Sequence, residues 1–187
     1  MNGGAQVLRR CALAALLALA ALLALAGCSE GRDAAEPVAG AGRTANDARE
    51  WLDRIASAHA HADEALAAGQ PDRARTFLNA GLAREVPAEI AGEHARALRQ
   101  DLWYRLSAIG LALEPSQALR EADQGLALGR HDDLFSANLL VARGRALQAL
   151  GRDTEAASSY HEALQIDERL LNAVLGAGAG SQLDGGP

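Results

Sequence analysis

The sequence predicts an all-α domain of antiparallel helical hairpins, and three observations carry that expectation. From Trp51 onward the apolar residues recur at helical spacing and never in the two-residue alternation of a half-buried strand. Aromatic residues make up only 3% of the chain and β-branched residues are sparse, a poor composition for sheet. Gly and Pro interrupt the periodic runs at short intervals, so consecutive helices have short connections and run antiparallel.

Six helices follow in order. The first is expected to start at an Asp47 N-cap, with Glu50 three residues on as its capping-box partner. Its inner stripe is Trp51, Leu52, Ile55, Ala58, Ala62, Ala65 and Leu66, and Gly69 stops it. The second opens at Pro71, a residue suited to the first helical position, and carries Ala74, Phe77, Leu78 and Leu82. Pro87 is expected to start a longer third helix through Leu98, Leu102, Leu106, Ile109 and Leu113. Pro115 and Ser116 break it and cap the fourth, which runs through Leu119, Ala122 and Leu126 to Gly129. Asp132 or Asp133 caps the fifth, bearing Leu140, Leu147 and Leu150, and Gly151 ends it. Asp153 caps the sixth, with Ala156, Tyr160, Ala163, Leu164, Leu171 and Val174 inward.

Before this domain stands a different kind of segment. Met1 to Arg10 carries Arg9 and Arg10 and no acid, and Cys11 to Ala26 is an almost unbroken Leu/Ala run. A charged start, an apolar middle and small residues at the cut describe a secretory signal peptide. The run of about 16 residues is short of the ~20 that span a bilayer, and no basic cluster follows it. Leu25-Ala26-Gly27-Cys28 resembles the lipobox of bacterial lipoproteins. That resemblance implies cleavage before Cys28, a lipid on its thiol and attachment to the cell envelope. Ser29 rather than Asp after the Cys implies the outer membrane, facing the periplasm. Residues 1–27 are then the signal peptide and 28–46, rich in Gly, Ala, Pro and charge, a flexible tether of roughly 20–25 Å. Residues 47–175 form the helical domain, and 176–187 a low-complexity tail.

Charge narrows the partners. The chain has 18 basic residues, all Arg, and 24 acids. Two of the Arg and none of the acids precede Cys28, which leaves 16 against 24, a net charge of −8. Such a surface is unsuited to nucleic acid, which needs a basic face, and to a polybasic membrane patch. Membrane affinity then rests on the acyl chains of Cys28, two or more of which anchor stably. With Cys11 removed and Cys28 lipidated, no disulfide or cysteine metal site remains.

Self-similarity identifies the architecture further. Ala137 to Leu170 resembles a tetratricopeptide repeat, with Gly144 at the helix crossing, Gly151 between the helices, and Ala156, Tyr160, Ala163, Leu164, Ile166 and Asp167 along the second helix. Small residues there let two helix axes pass closely, with Tyr160 filling the space beside them, while Gln148 and Ser159 are expected on exposed sides. The chain departs from the family at Leu140, Arg143 and Glu168. A weaker copy spans Ile55 to Ala88, and Ala118, Ala122 and Gly125-Leu126 mark a third. The pairs Gly81-Leu82, Gly125-Leu126 and Ala163-Leu164 are spaced by 44 and 38 residues instead of about 34. The expected fold is a short TPR-like solenoid of about three repeats, with a plain helical bundle as the alternative.

No motif for catalysis, metal or cofactor stands out. His59 and His61 are two apart and point to different sides of a helix, and no nucleophile elbow, phosphate loop or His-Glu-x-x-His occurs. The TPR resemblance instead implies a groove lined by the first helix of each repeat, holding a protein segment. Its positions are Asn138, Val141, Ala142, Arg145 and Gln148 in the last repeat, and His59, Ala60, Asp63 and Leu66 in the first. Trp103 and Tyr104 are candidates for the same surface, and with Arg145 have the composition of a binding hot spot. Trp103 in the core and Arg145 merely solvated is the other reading. The expected role is therefore a protein–protein adaptor or scaffold of an envelope machine and not an enzyme; the alternatives are self-association through the open ends of the stack and, behind it, a periplasmic hydrolase.

Overall fold

The computed structural model describes residues 41–180, with the side chains of 45–176. The signal segment, Cys28, the tether as far as residue 40 and the last seven residues lie outside the described part. Within it are six helices: α1 (Ala41–Ala67), α2 (Pro71–Leu82), α3 (Gly92–Leu113), α4 (Pro115–Ala127), α5 (Leu134–Ala149) and α6 (Asp153–Gly180). Each packs on the next in the chain, and α3 also packs on α5. The described domain is all-α, built as sequential hairpins, and no strand occurs among the described residues.

Helix ends follow local chemistry. Gly69 and Gly151 both adopt φ +72°, a left-handed conformation that Gly enters without steric cost. At each, the next N–H reaches back five residues, Gln70 to the Ala65 carbonyl at 2.8 Å and Arg152 to the Leu147 carbonyl at 2.9 Å. These are Schellman closures, which satisfy the last carbonyls of α1 and α5. Pro115 opens α4, where its missing N–H costs nothing, and Glu114 is the N-cap. Of the two candidate caps for α5, Asp133 is the one used: its carboxylate accepts from the Ser136 N–H at 2.8 Å.

Several boundaries differ from the sequence reading. Helix α1 runs back to Ala41, so Asp47 lies inside it and caps nothing, and residues 41–46 of the expected tether are helical. Helix α3 starts at Gly92, five residues after Pro87. Pro87–Ile90 is a turn instead, closed by the Ile90 N–H on the Pro87 carbonyl at 3.1 Å, and Val86 and Ile90 fold in against the first core cluster. Ser116 bonds to the Glu114 carboxylate and caps no backbone. Asp153 is the first residue of α6, adding an acid to its first turn. At the far end α6 continues through Gly180 where a tail was expected from residue 176.

The core has two centres. Trp51, Ile55, Leu78, Leu82, Leu102 and Leu106 fill the first, between α1, α2 and α3, and Leu126, Leu139, Leu140 and Ile166 the second, between α4, α5 and α6. Trp103 packs against both. Three glycines sit at the tightest contacts. A Cβ on Gly144 would lie 2.6 Å from the Tyr160 ring, one on Gly125 would lie 2.9 Å from the Trp103 Cβ, and one on Gly110 would crowd the Arg75–Glu121 pair. Ala156 is buried on the α6 side.

The expected inner stripe of α6 holds only in its first half. Ala156 and Ala163 are buried, but Leu164, Leu171 and Val174 are 54%, 57% and 70% exposed, and Ile166 is buried in their place. Leu164 and Leu171, seven residues apart, lie on the side of α6 away from the buried Ala156, Ala163 and Ile166, and α6, with 28 residues against 16 in α5, outruns its partner at Val174. Leu52 and Leu66 of α1, Leu113 and Leu150 are likewise exposed. Ser159, expected outside, is fully buried; it donates to the Glu155 carbonyl and receives Arg143 Nη1 at 2.7 Å.

Polar groups tie the helices across the core. The Arg75 guanidinium on α2 meets the Glu121 carboxylate on α4 and donates to the Leu106 carbonyl at 3.1 Å. Buried Gln100 donates to the Gly125 carbonyl at 3.1 Å and the Gly129 carbonyl at 2.7 Å. Arg99 donates to the Leu82 carbonyl at 3.1 Å, and Ser107 to the Ala118 carbonyl at 2.8 Å.

Gly144→Leu, forced against the Tyr160 ring, should destabilise the domain by about 1–3 kcal/mol in denaturant titration, while Gln148→Leu on the exposed side should change it by less than about 0.5 kcal/mol. Arg75→Ala or Glu121→Ala alone strands a charge that its surroundings bury, at a cost of about 3–5 kcal/mol; the double variant Arg75→Met/Glu121→Leu should recover most of it.

Candidate functional site

An open apolar cleft lies where α1 and α3 end side by side. It is a cleft of about 420 Å³ lined by Ala62, Leu66, Pro71, Leu78, Tyr104, Arg105, Ala108, Ile109, Ala112 and Leu113. Small residues shape it. Ala62, Ala108 and Ala112 hold the facing sides low, so a valley opens between the helices, with Leu66 and Leu113, 42% and 53% exposed, on its walls. That volume falls in the range of ligand-sized clefts, yet nearly all of its lining is aliphatic.

One wall adjoins a polar seam between α1 and α3. Arg105 donates through Nη1 to Asp63 at 2.8 Å and through Nε to Asp101 at 3.2 Å. The same Asp101 oxygen lies 3.4 Å from His59 Nδ1. Burial holds the His59 pKa below its ordinary 6.5 and outweighs the opposite pull of Asp101. The imidazole is therefore neutral at neutral pH.

The residues singled out from sequence fall into three groups. His59 and Asp63 join Asp101 and Arg105 in the seam, and Tyr104 lines the cleft and packs towards α5. Asn138, Val141 and Arg145 share one face of α5; Val141 packs on the second core cluster, Asn138 and Arg145 are exposed, and Arg145 makes no ion pair among the described residues. Gln148, also exposed, accepts from Tyr160 Oη at 3.2 Å. Trp103 is half-buried, bridges the two core clusters and does not line the cleft. Cys28 lies outside the described residues. Sequence reasoning missed Arg105, Asp101 and the Ala108–Ala112 floor, because Ile109 and Leu113 read as a core stripe. The signal was the small-residue spacing Ala108–Ala112 beside them.

Among the described residues no three or more His, Cys, Asp or Glu side chains converge on a metal-sized site, and no helix is long and apolar enough to cross a membrane. No protein-family model, curated protein or solved structure matches the chain. The aliphatic lining of the cleft can take apolar side chains out of water.

Because His59 is depressed in the folded state, the unfolded chain binds the extra proton first as pH falls. Stability should be full above about 6.5 and decline from there down to the lowered native pKa. His59→Gln should flatten that part of the stability–pH curve, measured by denaturant titration at pH steps.

Proposed function

We propose that the chain is a lipid-anchored envelope protein that acts as a protein–protein adaptor through the groove on α1, α3 and α5. The observation that carries the reading is the aliphatic cleft at the ends of α1 and α3. It offers burial for apolar side chains, and the one charged group in its lining, Arg105, is already paired with Asp63 and Asp101. The order of helices supports reading the domain as three TPR-like repeats. The pairs are α1/α2, α3/α4 and α5/α6, the first and last hairpins turn through identical Gly closures, and the middle first-helix α3 packs on the next, α5.

In this reading the bound segment is a protein strand or helix with apolar anchors. Its recognition residues are Tyr104 and Leu113 in the cleft, with the exposed Asn138 and Arg145 of α5. Trp103 acts by holding α3 between the two cores. The leader and Cys28 supply the address: cleavage before Cys28 and acylation tether the domain to the membrane, on the outer membrane's periplasmic face.

Two measurements test this. Cys28→Ser should remove the lipid and change the processing, seen as a shift in the mass of the mature chain; a protein that still sediments with membranes and shows no processing change refutes the anchor. Tyr104→Ala and Leu113→Ala should each lower capture of partner proteins from solubilised membranes by about thirtyfold, the effect of losing ~2 kcal/mol at a hot spot. Both should melt within a few degrees of the wild type. Variants that fold normally and capture the same proteins equally well would refute the groove.

A further inference from the structure

Two pairs of ionisable residues face each other across the α1/α3 seam, His59 and Asp63 on α1, Asp101 and Arg105 on α3. The members of each pair are one helical turn apart. With His59 neutral the arrangement is lopsided. Arg105 takes both acids, Asp63 across the seam at 2.8 Å and Asp101 along its own helix at 3.2 Å. The Asp101 oxygen that accepts from Arg105 Nε also lies 3.4 Å from His59 Nδ1, beyond the roughly 2.7–3.2 Å of an N–H···O hydrogen bond. One carboxylate oxygen thus stands between two nitrogens and bonds one of them. Within the seam, Arg105 with Asp63 is then the ion pair that joins α1 to α3.

We infer that this seam is a proton-operated latch: when His59 takes a proton, Asp101 changes partner from Arg105 to His59, and two ion pairs instead of one join α1 to α3. A proton from solvent turns the imidazole into a cation, and with 18% of its side chain exposed it meets little water there. It needs an anion, and Asp101 is the one already beside it. Arg105 can release Asp101, because it keeps Asp63 and its own side chain is 30% exposed. Two cations on one oxygen also repel. Arg105 is the charge that opposes protonation of His59, while Asp101 and Asp63 favour it. None of the charges acting on His59 comes from α2, the helix that packs beside α1. Burial outweighs the pull of the two acids, so the exchange belongs to acidification, below the ordinary 6.5 of a histidine. Drawing His59 and Asp101 into bonding distance pulls the two helices together beside the cleft. Arg105, which lines that cleft, is then held from α1 alone. The wall of the cleft thus follows pH. This goes beyond the adaptor reading and needs no occupant of the cleft.

The test is nuclear magnetic resonance of the full chain in detergent, labelled with nitrogen-15 at Arg and His. It is titrated from neutral pH down to the onset of unfolding by circular dichroism. The Arg105 Nε–H resonance is identified by its loss in Arg105→Lys. Relative to free arginine at the same pH, exchange of that proton with solvent should quicken by about tenfold, the loss of one charge-assisted hydrogen bond. That step should share its midpoint with the His59 ring. In His59→Gln the proton should stay protected over the whole range. Asp101→Asn removes the shared charge; it should lower the His59 midpoint, weaken the protection at every pH and abolish the step, and it decides the matter if His59→Gln folds poorly. Protection that holds while His59 titrates overturns the inference, as does a step that survives in His59→Gln or a chain that unfolds before His59 titrates. The readout involves no partner, so the two readings separate. A shared midpoint beside unaltered capture by Leu113→Ala keeps the latch and removes the groove; flat Arg105 protection beside lost capture does the reverse.

Discussion

The domain depends on what the buried side-chain amide of Gln100 does in the middle of α3. The C-terminal carbonyls of a helix have no partners within it, and burying them unsatisfied would cost more than packing returns. Gln100 donates to the Gly125 carbonyl in the last turn of α4 and to the Gly129 carbonyl just beyond it, and so ties the end of α4 to the middle of α3. Arg96, one turn earlier, donates to Gln100 and also reaches Asp133 at 2.8 Å, the residue that caps α5. A single chain of hydrogen bonds thus joins the end of one helix to the start of the next through a third. Around that anchor α3 packs on α2, α4 and α5, and Trp103 joins the two cores.

The same economy explains the choice of core residues. With so few aromatics, the interior is made of Ala and Leu, and helices must approach closely for small side chains to fill the space. Gly110, Gly125 and Gly144 mark the places where approach leaves no room for a methyl group. Close approach also brings charged side chains into partly buried seams, and the absence of Lys matters there. The planar Arg guanidinium can bridge a carboxylate and a backbone carbonyl at once, as Arg75 does with Glu121 and Leu106.

Function in this reading resides in what the hairpins leave uncovered. Each helix packs on its neighbour in the chain, but small residues leave a cleft at the ends of α1 and α3, and α6 outruns α5. The first mismatch makes a hollow and the second a projection, both aliphatic. The polar seam of His59, Asp63, Asp101 and Arg105 closes the hollow on one side and sets how far apart α1 and α3 stand.

The helix count, the all-α class, the Gly stops at 69 and 151, an Asp cap at 132 or 133 and most core positions were legible in the sequence, because each depends on local spacing and on backbone chemistry within a few residues. Boundaries without such a signal were not. The start of α1 ran past Asp47, since an Asp inside a helix-favouring run does not end it, and α3 waited until Gly92 because Val86 and Ile90 were needed over the core. Of the candidate site, His59, Asp63 and Tyr104 were legible as residues on one helical side. Their partners Asp101 and Arg105 were not, since a contact across 42 residues leaves no mark on local periodicity. The exposure of Leu164, Leu171 and Val174 was hidden for the same reason. An apolar stripe states that a surface would gain from burial, but only the lengths and positions of the neighbouring helices decide whether anything is there to bury it.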